Sequence, residues 1–424
     1  MTQTEDIRAR ATKHTRYNYR ILLGNGSFVA LANRVSDPHL VLTFLYSVLG
    51  APLAFAGLIV PMHNIGGLLG RALSAPLISK ARFSKRYMAY GSLAAGISLM
   101  ALAIFVPIIH PTAAAMIFLL VAGTIGVSQG LGSVAFGDLL GRALPQERRG
   151  PLLFTQSAVG GVLAVAAASA TILLFKDAKP LDSHISLIWI SAVVLVLAFV
   201  FSLLVQEPPP NRDAGSGARG FTSEIHRAFT LVGQAPWFRR FLVGQVLFLS
   251  VTLATTFYSI HAASLHGEKS GSISVFVVAS SLGVVVGAPL WSRLLDNKGV
   301  RLVFILGGLA TMSAAILALT IEYVDGLQFV LLHALVFLLA TLGYQAVTQG
   351  RQVYLANMTT DEERPFLISI FHTLLAALSI GVAVLFGVLA QVKGEAWPLL
   401  AILAMNIVAV LYQLVEKHYF PAAR

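Results

Sequence analysis

Apolar residues run through this chain in long unbroken blocks, and polar residues collect in the gaps between them. No Asp, Glu, Lys or Arg occurs from Pro38 to Gly70, Tyr87 to Gly137, Phe241 to Gly267, Gly326 to Gly350, or Pro365 to Val392. A helix crosses the hydrocarbon core of a bilayer with about 20 apolar residues, so the longer blocks hold two helices back to back. The pattern places twelve helices, near residues 19–48, 53–78, 87–109, 113–138, 151–175, 184–206, 239–265, 271–292, 302–321, 327–352, 366–390 and 397–416. Six lie on each side of the hydrophilic stretch Glu207–Phe238. The expected fold is an all-α membrane protein, with twelve transmembrane helices in two six-helix bundles related by pseudo-twofold symmetry.

Charge orients this frame. With both termini on one side, only Lys176, Lys179, Lys269 and Lys393 of the 30 Lys and Arg face the other side, and Arg34 lies inside a span. Positive loops stay in the cytoplasm, so both termini are expected there. The net charge of +11 therefore reads as a topology signal and not as a nucleic-acid footprint. A composition 56% hydrophobic and 12% charged, with mean hydropathy +0.77, excludes an ordinary soluble domain. The chain has no cysteine, which removes disulfides and thiolate metal sites. The polar, basic start reads as a retained tail and not a signal peptide. The expected segments are a cytoplasmic tail at 1–18, a bundle at 19–206, a cytoplasmic linker at 207–238, a second bundle at 239–416 and a tail at 417–424.

The two halves repeat weakly. Arg20-Ile-Leu-Leu-Gly24-Asn25 and Arg240-Phe-Leu-Val-Gly244-Gln245 open the first helix of each, offset by 220 residues. Pro145-Gln-Glu-Arg-Arg149-Gly and Thr360-Asp-Glu-Glu-Arg364-Pro follow the fourth helix of each, offset by 215. The linker opens with a Pro/Gly-rich stretch to Gly220. Phe221, Ile225 and Phe229 then recur at helical spacing, which predicts a short helix on the inner membrane surface with Trp237 at headgroup level. A docking site for a partner is the alternative.

Two stretches carry a resemblance to a known family. Gly287-Ala-Pro-Leu-Trp-Ser-Arg293-Leu-Leu-Asp296-Asn-Lys298-Gly299-Val-Arg301 resembles the conserved cytoplasmic loop of the major facilitator superfamily. In that family an Asp, a Gly and following basic residues tie neighbouring helices together, which implies conformational gating by Arg293, Asp296, Gly299 and Arg301. The equivalent first-half loop, Leu77 to Arg86, has the basic residues but neither Asp nor Gly. Gly126-Val-Ser-Gln129-Gly130-Leu-Gly132 resembles the family's Arg-x-x-Gln-Gly-x-Gly signature, with Gly126 in place of the Arg associated with proton coupling. Gly160-Gly161 stands where drug/proton antiporters carry Gly-Pro. The resemblance covers nearly the whole chain and implies a cavity lined by helices 1, 4, 7 and 10.

Charge at a helix centre costs about 2.5–3.5 kcal/mol on insertion scales, so a deep charge marks a site. Arg34 and Asp37 are the deep ones. Their spacing of three predicts a shared face on helix 1, and Pro38 is expected to bend or interrupt that helix. Arg34 lies about 21 Å along the helix from Arg20. It is read as binding an anionic substrate group, with Asp37 as release partner or proton carrier; a permanent brace is the alternative. Asn25, Asn33, Gln129, Tyr258, Gln345, Gln349 and Arg351 complete the expected substrate wall, with Arg351 equally readable as a positive-inside anchor. Gln129 is otherwise helix–helix glue. His63 joins Asp37 as a candidate for proton coupling; His261 and His372 are weaker candidates.

Phosphate-loop, His-Glu-x-x-His and Gly-x-Ser-x-Gly signatures are absent from the sequence, so neither catalysis nor ATP-driven transport is expected. The expected function is secondary active transport of a small organic solute by alternating access, with proton coupling favoured and an anionic or amphiphilic substrate slightly preferred. Efflux of drugs or metabolites, facilitated diffusion, and a non-transporting assembly or sensor protein of transporter fold are the alternatives. No cofactor or metal is expected, and the partners are substrate, protons and the lipid of a plasma (bacterial inner) membrane. The expected state is a monomer.

Overall fold

A computed structural model describes residues 3–80, 83–108, 110–207, 236–358 and 364–416. The described residues are helical throughout and contain no strand. We number the helices α1 to α12: α1 (Gln3–Val35, continued as Thr43–Val48), α2 (Leu53–Ala56, continued as Ile59–Lys80), α3 (Lys85–Phe105), α4 (Pro111–Ala143), α5 (Gln146–Leu174), α6 (Pro180–Leu204), α7 (Pro236–Leu247, continued as Leu249–His266), α8 (Ser272–Lys298), α9 (Val300–Tyr323), α10 (Val330–Met358), α11 (Arg364–Lys393) and α12 (Ala396–Val415). Eleven of these spans are long and apolar enough to cross a membrane. The expected surface helix at Phe221–Phe229 lies outside the described residues. Trp237 packs edge-on against Phe238, with ring centroids 5.6 Å apart, and lies 6.0 Å from Tyr354. Its ring therefore joins the aromatic core of the second half.

The first helix is 33 residues long up to Val35 but too polar to count among these spans, and it breaks at Asp37-Pro38. Pro38 has no N–H to continue the ladder, and Asp37 adopts a non-helical backbone. The Asp37 carboxylate accepts from His39 N at 2.7 Å, and Asp37 O accepts from Leu42 N at 3.2 Å, five residues on, as well as from Val41 N at 2.8 Å, opening one π turn over Pro38–Leu42. The hydroxyl of Thr43 donates to Pro38 O at 2.8 Å, so the break is satisfied from within. This corrects one expectation. The helix ends at Val35, so the spacing of three does not carry Asp37 onto the face of Arg34.

The chain divides into two compact units. Unit 1 comprises residues 1–51, 62–214 and 268–278; unit 2 comprises 52–61, 215–267 and 279–424. In unit 1, α1 packs on α5 and α6, and α3 on α4 and α6. Leu22, Met88, Leu139, Leu152 and Val205 form a buried cluster there. The first residues of α8 belong to this unit: Ser274 hydrogen-bonds Thr171 at 2.7 Å, and Gly271 N donates to Ser183 Oγ at 3.0 Å. In unit 2, α9 packs on α10 and α12, and α7 on α10, α11 and α12. Phe238, Phe241, Phe248, Phe304, Tyr354 and Phe371 form its core. The start of α2 belongs here, where Leu53 N donates to Gln391 Oε1 at 2.7 Å.

Glycine decides one crossing in unit 1. A Cβ on Gly126 would overlap His63 O, and one on Gly130 would overlap Gly67 O. Gly66 and Gly70 would meet Gly123 O and Val127 O in the same way. Small residues let α2 and α4 bring their backbones together, the usual membrane solution where apolar burial gives no drive between helices.

Candidate functional site

That crossing borders a cavity of about 550 Å³ contained within unit 1, inside the range of small-molecule sites. Its polar wall centres on Gln129 of α4. The Gln129 amide donates to Asn33 Oδ1 of α1 at 2.9 Å, and its oxygen lies 3.0 Å from His63 Nε2 of α2. One hydrogen-bonded string thus joins three helices across the cavity wall. Asn64, Ser133 and Gln156 extend the polar lining. Arg71, two turns beyond His63 on α2 and exposed, supplies the lining's cation. Gln156 also holds α5 to α1, donating to Leu22 O at 2.7 Å.

Of the expected substrate residues, Asn33, Gln129 and Asn25 line this cavity. Asn25 is 2% exposed, and its amide nitrogen donates to Ala198 O at 2.8 Å and Ser202 Oγ at 2.9 Å, so it chiefly fastens α1 to α6. Arg34 sits half-buried in the last turn before the α1 break and is not among the lining residues. Asp37 caps the π turn, and its charge reaches His39 and His63. The sequence reading missed Asn64, Arg71, Ser133 and Gln156 as lining. Gln156 carried a signal, a lone amide in an apolar helix. Arg71 read as a loop cation because it closes a charge-free run.

The expected residues of unit 2 occupy other settings. Tyr258 is fully buried, with its hydroxyl 3.3 Å from Thr311 O, so it joins α7 to α9. Arg351 is 8% exposed; its Nε donates to Gln245 Oε1 at 2.9 Å and its guanidinium lies 5.3 Å from the Phe371 ring centre. It is held among α7, α10 and α11, not extended to a membrane surface. Gln345 lies against Gly287 and Trp291 on α8, and Gln349 is half-buried on α10.

The loops after α8 and α2 hold their charges in different ways. Arg293 and Asp296 are exposed, and Asp296 forms no ion pair among the described residues. Gly299 takes φ +80 at the entry to α9, the left-handed region that glycine tolerates. Arg301 donates to Gln413 O at 2.8 Å and Leu414 O at 2.6 Å, capping the end of α12. The first-half loop, without acid in its own sequence, borrows two from elsewhere. Glu207, whose side chain is fully buried, accepts from Ser84 N at 2.8 Å and Lys85 N at 2.9 Å at the start of α3, and pairs with Arg142 at 2.7 Å. Asp138 pairs with the same Arg142 and accepts from Ser84 Oγ. A carboxylate at a helix N-terminus meets unsatisfied N–H groups and a favourable dipole.

Comparison with known proteins sets this geometry in context. The Major Facilitator Superfamily model matches residues 241–421. The second half of the chain is therefore similar to this family. The likeness of the chain to solved structures of this fold extends over almost its whole length. The nucleoside transporter NupG superposes with a TM-score of 0.70 at 14% identity, covering 96% of this chain and 100% of NupG. A POT family transporter in complex with 5-aminolevulinic acid gives 0.66 at 13%, covering 93% and 94%. A bacterial homologue of the human lysosomal transporter Spinster gives 0.63 at 12%, covering 96% and 98%. By sequence, uncharacterised proteins of Mycobacterium tuberculosis and Mycobacterium bovis are 29% identical over 394 residues, covering 93% of this chain and 76% of theirs. The major facilitator signature on α4 differs here for a spatial reason: an arginine at position 126 would have to pass through the α2 backbone.

Proposed function

We propose that this chain is a secondary transporter of a small polar organic solute, bound by the α1–α2–α4 wall of the unit 1 cavity. The observation that carries the reading is the Asn33–Gln129–His63 string lining a 550 Å³ cavity. A polar string in a membrane span is costly unless satisfied, and such groups mark solute and ion pathways. Amides and an imidazole recognise hydroxyl, amide and heterocycle groups. Arg71 at the lining adds a preference for an anionic group, the role first given to Arg34. NupG is by name a nucleoside transporter and the POT family transporter is in complex with 5-aminolevulinic acid, and nucleosides and 5-aminolevulinic acid are both solutes of this polar kind. Protonation of His63, influenced by Asp37 and hydrogen-bonded to Gln129, would couple the proton to solute occupancy.

The test is uptake by proteoliposomes of radiolabelled nucleosides, short peptides and small carboxylates, with and without an inward proton gradient. The reading expects uptake of at least one class, driven by the gradient and reduced at least tenfold in Gln129→Ala. Uptake insensitive to the gradient would leave facilitated diffusion. No uptake of any class by folded protein would favour a sensor or assembly role.

A further inference from the structure

A second titratable cluster lies in unit 2, in residues that the solute cavity does not use. His261 and His266 on α7 and His333 on α10 are each 1% exposed or less. The His333 ring centre lies 5.1 Å from that of His261 and 5.2 Å from that of His266. His261 Nε2 sits 3.0 Å from Glu322 Oε2 at the end of α9, and the Glu322 side chain is 33% exposed. Phe337, one turn along α10, covers His333 from a ring distance of 6.0 Å. Charge also reaches His261 from Glu395, which precedes α12. Asp325, which follows α9, and Lys393, the last residue of α11, are exposed. The described residues contain no group of three His, Asp or Glu arranged to hold a metal ion.

Three imidazoles at this spacing repel one another strongly if two are charged, since burial weakens screening. One proton, however, has a counter-ion within hydrogen-bond reach and a route to water through the exposed face of Glu322. Packing alone does not call for a carboxylate at this position, and an intramembrane ionisable group is by default a functional one.

We propose that His261, His266, His333 and Glu322 form a proton-binding site that holds one shared proton, entering through the Glu322 carboxylate and resting on His261 Nε2. Water gives the proton to Glu322, and Glu322 passes it to His261, so the carboxylate ends ionised beside an imidazolium. His333 and His266 are the neighbouring imidazoles, and they set the number of protons at one by repulsion. Its use as the coupling proton rests on the transport reading above; the binding of the proton does not.

The experiment is nitrogen-15 NMR of the full chain labelled at histidine, in detergent, from pH 8 to pH 5. His261→Asn, His266→Asn and His333→Asn assign the signals, and thermal melting confirms that each variant is folded. The expected result is one protonation step that moves all three ring signals together. In Glu322→Gln the step should shift to lower pH by about one unit or more, because the imidazolium loses its counter-ion. Three independent steps, no step between pH 8 and 5, or an unchanged midpoint in Glu322→Gln would overturn the proposal. So would one-to-one zinc binding lost in His333→Asn, which would make the cluster a metal site. None of these readouts needs a solute, so a failure here leaves the transport reading to its own test.

Discussion

Units 1 and 2 are built on matching helices, yet matching positions do different work. Asn33, His63 and Gln129 form the polar string of unit 1. At the 220-residue offset of the first helices Asn33 corresponds to Leu253, and at the 215-residue offset that follows the fourth helices Gln129 corresponds to Tyr344, so two of the three partners are gone. Asn25 and Gln245 open corresponding stretches, but Asn25 ties α1 to α6 while Gln245 accepts from the buried Arg351. The loops diverge as well. Unit 1 gathers Asp138, Arg142 and Glu207 around the start of α3, whereas Asp296 in unit 2 stays exposed. A repeated helical frame therefore fixes where side chains can stand and leaves their chemistry free to part.

The largest effect on this contrast should come from returning the family's arginine to α4. Gly126→Arg should cost more than about 3 kcal/mol, beyond ordinary overpacking, and abolish a monodisperse peak and melting transition in detergent. Gly132→Arg, at a position with open space around it, should fold. Next comes Glu207→Gln. Breaking a buried ion pair costs about 3–5 kcal/mol, and Asp138 remains beside Arg142, so a loss of about 2–3 kcal/mol in thermal unfolding is expected. Arg351→Met removes a charged hydrogen bond to buried Gln245, worth about 1.5–3 kcal/mol, partly offset by apolar fill. Its melting temperature should fall while any solute binding in unit 1 survives. Asp296→Asn should change stability by less than about 0.5 kcal/mol, as for an exposed residue outside any network.

The helical frame was legible because hydropathy and length decide it: bare lipid tolerates only backbone that satisfies itself. The α1 break was half legible. Pro38 announced it, but the π turn depends on Asp37 turning its carboxylate onto His39 N, and only that geometry separates Asp37 from the face of Arg34. Gln129 and His63 stood out as polar residues in charge-free helices. Their pairing did not, because it requires the α2–α4 approach set by Gly66, Gly70, Gly126 and Gly130. Tyr258 and Arg351 misled because a polar side chain on a cavity-side helix has the same sequence signal as one bonded to a neighbouring helix. The Asp138–Arg142 pair was legible from its i,i+4 spacing near the end of α4, but its second acid, Glu207, was hidden because it follows α6, far along the chain.

The central claim is that solute binds in unit 1 at Gln129 and not in unit 2 at the half-buried amide of Gln349 on α10. The most direct measurement is ligand-induced thermal stabilisation of purified protein against a solute panel, comparing Gln129→Leu with Gln349→Leu. A ligand at 100 times its dissociation constant stabilises by about 2.7 kcal/mol. The account predicts that this gain disappears in Gln129→Leu and persists in Gln349→Leu; a gain that persists in the first and disappears in the second would contradict it.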